Sequence, residues 1–237
     1  MALAGRSKPD LEETARRVQA QARRALVAPT DVSVLAEVEA LVARAVSDLG
    51  RLDIVVNNAG VAKVAPLVEM TDADLRGIVD TNLIGVINGC RAAAPHLIGQ
   101  GRGKVINVAS VLAVVGLPGY SIYSATKGGI IAFTRALGVE WARHGIQVNA
   151  LAPGWFATDM TDPALSNPRG QRAAHPRHPH ATYRSAARGW ATRRAVGVRR
   201  VGLYDRADHL PRRGAFGGVI RRSRDLRREA GKSPRSE

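Results

Sequence analysis

Leu52-Asp53-Ile54-Val55-Val56-Asn57-Asn58-Ala59-Gly60 opens with a strand, Leu52–Val56, apolar but for Asp53, that stops at Asn57-Asn58-Ala59-Gly60. Adjacent Ile and Val favour a strand, and a run without polar alternation suits a strand buried on both faces of a parallel sheet. On its N-terminal side, Ser33 caps a helix with Val34, Val38, Leu41, Val42 and Val46 on one face, and Gly50 ends it. Before that, Pro9-Asp10 opens a helix with Leu11, Ala15, Val18 and Ala22 on one face, followed by a short apolar strand, Ala25–Thr30, closed by Asp31. On the other side, Thr71 starts helical sequence that runs, with a break, towards Leu97. Lys104–Val108 reads as a strand, Tyr123–Ala142 as a helix and Ile146–Leu151 as another strand. Strands separated by helices of these lengths imply βαβ units, hence an α/β fold with a doubly wound parallel sheet covered on both faces. Right-handed crossovers place the strand C-terminal ends along one edge, where such sheets bind ligands. The polar punctuation falls there: Asp31, Asn57-Asn58, Asn82, Ser110 and Thr158.

The 237 residues, 45% hydrophobic and 23% charged, fit a globular protein and exclude a fibrous repeat. A single cysteine, Cys90, excludes an internal disulfide framework and fits a reducing, cytoplasmic setting. No apolar run approaches the roughly 20 residues of a membrane helix, and the N-terminus shows no signal-peptide pattern. The net charge of +15 is unevenly placed. Residues 1–168 carry 16 Lys+Arg against 15 Asp+Glu, whereas residues 169–237 carry 19 basic residues, 18 of them Arg, against 5 acids. The second stretch also lacks any sustained helix or strand period, so it reads as a disordered basic tail behind a domain spanning 1–168. A tail of that charge admits a second reading, a nucleic-acid-binding protein gripping phosphates, although it lacks the interleaved aromatics of common RNA-binding surfaces.

The strongest chemical constellation is Ser110 followed by Tyr123-Ser124-Ala125-Thr126-Lys127. Tyr123 and Lys127 are four apart in a helical pattern, so their side chains share a face. An ammonium beside a phenol favours the phenolate and lowers a pKa of about 10, giving a general acid/base near neutrality. Ser110, at the end of the preceding strand, could hydrogen-bond a substrate oxygen during that exchange. His96 and His144 have no second ligand at metal spacing, so no metal is expected. Trp155 is placed either to wall a pocket or to pack a loop.

Asn57-Asn58-Ala59-Gly60, Thr81-Asn82-Leu83-Ile84-Gly85, Ser110, Tyr123 with Lys127, Pro153-Gly154 and Thr158-Asp159-Met160, in that order and spacing, resemble the short-chain dehydrogenase/reductase family. The resemblance covers about Met1 to Pro168. It implies a Rossmann-like sheet, an NAD- or NADP-dependent interconversion of small ketones and secondary alcohols, and a homo-oligomer as in intact relatives. By the same resemblance Tyr123 is the catalytic acid/base, with Lys127 lowering its pKa and holding the nicotinamide ribose. Ser110 orients the substrate carbonyl, and Asn82 holds a water in the proton relay. Asn58, Ala59 and Gly60 pass beneath the adenosine side, Asp31 and Val32 contact the adenine, and Pro153, Gly154, Phe156 and Thr158 line the nicotinamide. A helix-capping turn is an equal reading of Asp31. Arg6, following Gly5 where NAD-preferring members usually carry an acid, is placed to pair with a 2′-phosphate and favours NADP.

Two family features are absent from the sequence. The first strand with its T-G-x-x-x-G-x-G turn, which binds the cofactor diphosphate, is not found. Nor is the closing strand readable as written. In a reading frame shifted by one base, however, the codons of Val196–Arg199 permit Leu-Ala-Ser-Asp, and those of Leu203–Gly214 permit the family's last strand. The expectation is therefore a frameshift between about Met160 and Ala173, leaving a sheet short of its first and last strands.

Overall fold

The computed structural model describes residues 1–157, together with Arg184–Ser185 and Gly202–Leu203. The chain divides into two units, Met1–Asp205 and Arg206–Glu237. The second unit, the boundary expected at 168 and the remainder of the expected tail lie outside the described residues.

Strand and helix alternate as the sequence requires: β1 (Ala2–Gly5), α1 (Lys8–Gln19), β2 (Leu26–Pro29), α2 (Leu35–Leu49), β3 (Ile54–Asn57), α3 (Asp72–Val79), α4 (Gly85–Gln100), β4 (Gly103–Val108), α5 (Ser121–Trp141) and β5 (Ile146–Ala152). Three two-residue strands follow: β6 (Phe156–Ala157), β7 (Arg184–Ser185) and β8 (Gly202–Leu203). Every pairing is parallel, in three sheets ordered β1-β2, β3-β4-β5-β8 and β6-β7. This is the Rossmann-like α/β class, interrupted between β1 and β3. Within 169–237 the strands β7 and β8 were not expected. Gly202–Leu203 takes the outer edge of β5, where unpaired backbone groups would otherwise face water.

Local signals account for most boundaries. Gly50 stops α2 with φ +90°, a left-handed conformation that costs glycine little. Thr71 and Asp74 form a reciprocal capping box at the start of α3. Two expectations fail locally. Ser33 does not cap α2; Val34 is the N-cap, because the Ser33 N–H and hydroxyl both donate to Asp31 Oδ1, at 2.9 and 2.7 Å. Ala22 lies beyond the end of α1 in an exposed turn at φ +53°, so it shares no helical face with Leu11, Ala15 and Val18.

The core lies between the four-stranded sheet and α4 and α5. Cys90, Ala93 and Leu97 meet Val105, Leu137, Trp141 and Ile146, with Val55 packed against them. A second cluster joins Val86, Ala109, Ile130, Ile131, Ala150 and Ala152 nearer the strand C-terminal ends. α2 and α4 hold the two main sheets together: Val38, Val42 and Ala92 pack with Val32 and Leu52, and Asn88 Nδ2 donates to the Val32 and Ser33 carbonyls at 3.0 and 3.2 Å.

Coverage of both faces was expected, and β3 departs from it. Its side chains alternate, so Val55 turns to the α4–α5 layer while Ile54 and Val56 turn away from it. Those two remain 51% and 48% exposed. Among the described residues β3 pairs with β4 on one side only, so the apolar run Ile54–Val56, of inner-sheet composition, stands at an edge.

Candidate active site

The site forms where α5 crosses the C-terminal end of β4. Tyr123 and Lys127 lie one turn apart on α5, as their spacing demands, and Lys127 is only 3% exposed. Its Nζ donates to the Val108 carbonyl of β4 at 2.8 Å and lies 5.6 Å from the centre of the Tyr123 ring. An ammonium has three donors, so this one bond leaves the group able to hold further oxygen atoms.

Asn82 reaches the same place through a distortion. Residues Asp80–Ile84 form a π-helical turn between α3 and α4, the widened turn that often marks a functional position. Asn82 is fully buried; its Oδ1 accepts from Val61 N at 2.8 Å, and its Nδ2 donates to Val61 O at 2.9 Å and Thr126 Oγ1 at 3.3 Å. Gly60 completes the meeting point. A Cβ there would stand 3.3 Å from Asn82 Oδ1 and 3.4 Å from Lys127 Nζ, so any side chain would crowd both groups. Gly60, the π turn and α5 therefore meet at one place.

Ser110 is buried at the end of β4, where its Oγ accepts from Leu112 N at 3.2 Å. Burial pushes the Tyr123 phenol above its ordinary value, contact with the Ser110 hydroxyl pulls it back, and Tyr120 adds to the rise. Burial likewise lowers Lys127, to about 8. The expected lowering of Tyr123 by Lys127 is thus reversed in the free site. Desolvation disfavours both charged forms, and no direct bond joins amine and phenol to offset it.

The remaining predicted residues occupy the neighbouring strand ends. Arg6 is exposed just after β1, close enough to Asp31 for its charge to help lower that carboxyl; the Ser33 hydrogen bonds are the larger cause. Asp31 thus forms a turn with Ser33 ahead of α2 but does not cap the helix, whose N-cap is Val34. Val32 packs beside Gly85 in the α2–α4 contact, whereas Asn58 and Ala59 are exposed. Pro153 accepts from Val111 N at 3.0 Å, tying the loop after β5 to the Ser110 turn. Gly154 is exposed, Phe156 lies in β6, and Thr158 falls outside the described residues.

The sequence reading missed two contributors. Tyr120 stacks edge-to-face on Tyr123 at 6.1 Å and on Trp155 at 6.2 Å, an aromatic wall beside the phenol. Thr126 joins Asn82 to α5, its hydroxyl donating to the Tyr123 carbonyl at 2.7 Å. Among the described residues no His, Cys, Asp or Glu group could hold a metal ion.

The parallel α/β sheet thus gathers a buried Lys, a phenol and a serine at the C-terminal end of β4. Residues 1–169 match the short chain dehydrogenase family, and the chain belongs to it. It is 39% identical over 160 residues to gluconate 5-dehydrogenase of Gluconobacter oxydans, covering 68% of this chain and 62% of that one. Identity is also 39% over 161 residues to the 3-oxoacyl-[acyl-carrier-protein] reductase of Staphylococcus aureus, covering 68% and 65%. Among solved structures, a gluconate 5-dehydrogenase of Burkholderia cenocepacia in complex with NADP and tartrate superposes with a TM-score of 0.69 at 34% identity, covering 72% of this chain and 67% of the other. The chain spans a little under two thirds of the length of these curated relatives.

Proposed function

We propose that the chain carries the proton-transfer site of an NADP-preferring oxidoreductase acting on a small ketone or secondary alcohol. The observation that supports it is the convergence of Tyr123, Lys127, Asn82 and Gly60 beside Ser110. In reduction, the Tyr123 hydroxyl donates its proton to the carbonyl oxygen as that oxygen becomes an alcohol, while the Ser110 hydroxyl orients it. Lys127, protonated, stabilises the phenolate left behind, and Asn82 positions the backbone of Val61 at the rim. A nicotinamide, when bound, supplies the hydride to the carbonyl carbon. The donor set fits such a group: Lys127 has donors to spare for ribose hydroxyls, Asn58 presents an exposed amide, and Arg6 stands free of any hydrogen bond among the described residues to meet a 2′-phosphate. The relatives named above are a gluconate 5-dehydrogenase and a 3-oxoacyl-[acyl-carrier-protein] reductase, and a ketone–alcohol centre is the substrate class assigned here.

Fluorescence titration with NADP and NAD, on the chain and on Arg6→Asp, tests the reading. Arg6→Asp should weaken NADP about tenfold while sparing NAD, as loss of a charge-assisted bond implies. NADP binding that Arg6→Asp leaves unchanged, or carbonyl reduction that survives Tyr123→Phe, would refute it.

A further inference from the structure

Behind the site, four polar groups meet inside the apolar core. Asn57 Nδ2 donates to Asn107 Oδ1 at 2.8 Å, and Asn107 Nδ2 donates to Thr134 Oγ1 at 3.0 Å. Cys90 Sγ lies 3.5 Å from Asn57 Nδ2 and 3.8 Å from Asn107 Oδ1. Asn107, Thr134 and Cys90 are at most 1% exposed. Buried amides and hydroxyls are costly unless satisfied, and here each satisfies another, so the arrangement permits few alternatives.

Its location gives it a role beyond stability. Thr134 is seven residues after Lys127 on α5, two turns along the same face. Asn107 immediately precedes Val108 on β4, whose carbonyl holds Lys127 Nζ. Helix α5 is therefore fastened to β4 by two polar bonds, one from the network and one from the functional amine. Asn57, the residue before the Asn58–Gly60 segment, is fastened to the same amide. A slip of α5 along the strand would break the Asn107–Thr134 bond and draw Nζ away from both Val108 O and Gly60. We propose that Asn107 and Thr134 are positioning residues for Lys127, fixing the helix on the strand so that Nζ stays buried between the Val108 carbonyl and the Gly60 segment. This rests on the reading of Lys127 as part of the proton-transfer site.

Two ionisable groups adjoin this arrangement, Tyr123 on the same helix and Cys90 from α4, whose thiol burial pushes up to about 12. Neither carries charge at neutral pH, so the Lys127 amine reports its own burial. Acetylation of Lys127 by acetic anhydride, followed against pH by mass spectrometry and scaled to each protein's own plateau, gives the midpoint. It is expected near 8 in the unaltered chain, and unchanged in Thr134→Ser, which keeps the hydroxyl. In Thr134→Val, which keeps the volume and removes the hydroxyl, the midpoint should rise by one pH unit or more while circular dichroism stays unchanged. If Thr134→Val does not fold, Thr134→Ala takes its place in the comparison with Thr134→Ser. A folded variant without the hydroxyl whose midpoint stays near 8 would overturn the positioning role. A midpoint of an ordinary lysine in the unaltered chain would instead overturn the buried-amine reading of the site.

Discussion

Replacing Lys127 by Met should make the protein more stable at neutral pH, and the gain should vanish in alkali. Met keeps the length of the aliphatic stem and removes the charge from a side chain that is 3% exposed. Burial lowers the Lys127 pKa from 10.5 to about 8, and at about 1.36 kcal/mol per unit this amounts to roughly 3 kcal/mol of strain on the protonated native state. Against it stands the bond to Val108 O, worth about 1 kcal/mol. Lys127→Met is therefore expected to be more stable by about 2 kcal/mol at pH 7. Between pH 8 and 10.5 the native chain has shed this proton while the unfolded chain still holds it, so the stability of the Lys protein rises with pH across that window. Below pH 8 the penalty is present in full. The advantage of Met should shrink through the window and reverse above it. Urea denaturation of both proteins at pH 7, 8, 9 and 10, followed by tryptophan fluorescence, measures the difference directly; titrations common to both cancel. A difference that stays constant with pH would show that Lys127 does not carry a buried charge at neutrality.

Two further outcomes follow from packing. Gly89→Ala should cost about 1–3 kcal/mol, because a Cβ there would collide with Asn57 Oδ1 and force that amide out of its bonds. Gly99→Ala on the same helix, with nothing within 4 Å of its Cβ, should be neutral or stabilising, and equal denaturation midpoints for the two variants would contradict this packing. Ile54→Thr combined with Val56→Thr should reduce concentration-dependent association in sedimentation velocity without loss of secondary structure, since both side chains stand open on an edge strand. Sedimentation identical to the unaltered chain would show that this edge is not the adhesive surface.

The alternation of β3, α4, β4, α5 and β5 was legible because each element carries its own local signal: Gly50 and Thr71 mark ends, and branched apolar runs mark strands. The four-residue step from Tyr123 to Lys127 likewise survives folding, since helical spacing is a local property. What escaped was set by contacts distant in sequence. Ser33 has the composition of a cap, yet Asp31 claimed its donors. The direction in which Tyr123 shifts depends on how burial compares with a charge that the residue order alone places nearby. Asn107 and Thr134 lie 27 residues apart in unremarkable strand and helix sequence, and only the crossing of α5 over β4 brings them together. β3 shows both sides of the matter in one segment. Its unbroken Ile54-Val55-Val56 identifies a strand through backbone preference, which the strand realises on its own. The same run also asks for cover on two faces, which no strand can supply for itself and which other elements must bring. Where α4 and α5 provide that cover, Val55 is packed; where the described residues provide none, Ile54 and Val56 meet solvent. The apolar pattern thus states the environment a segment is suited to, and the exposed face of β3 locates where that environment is incomplete.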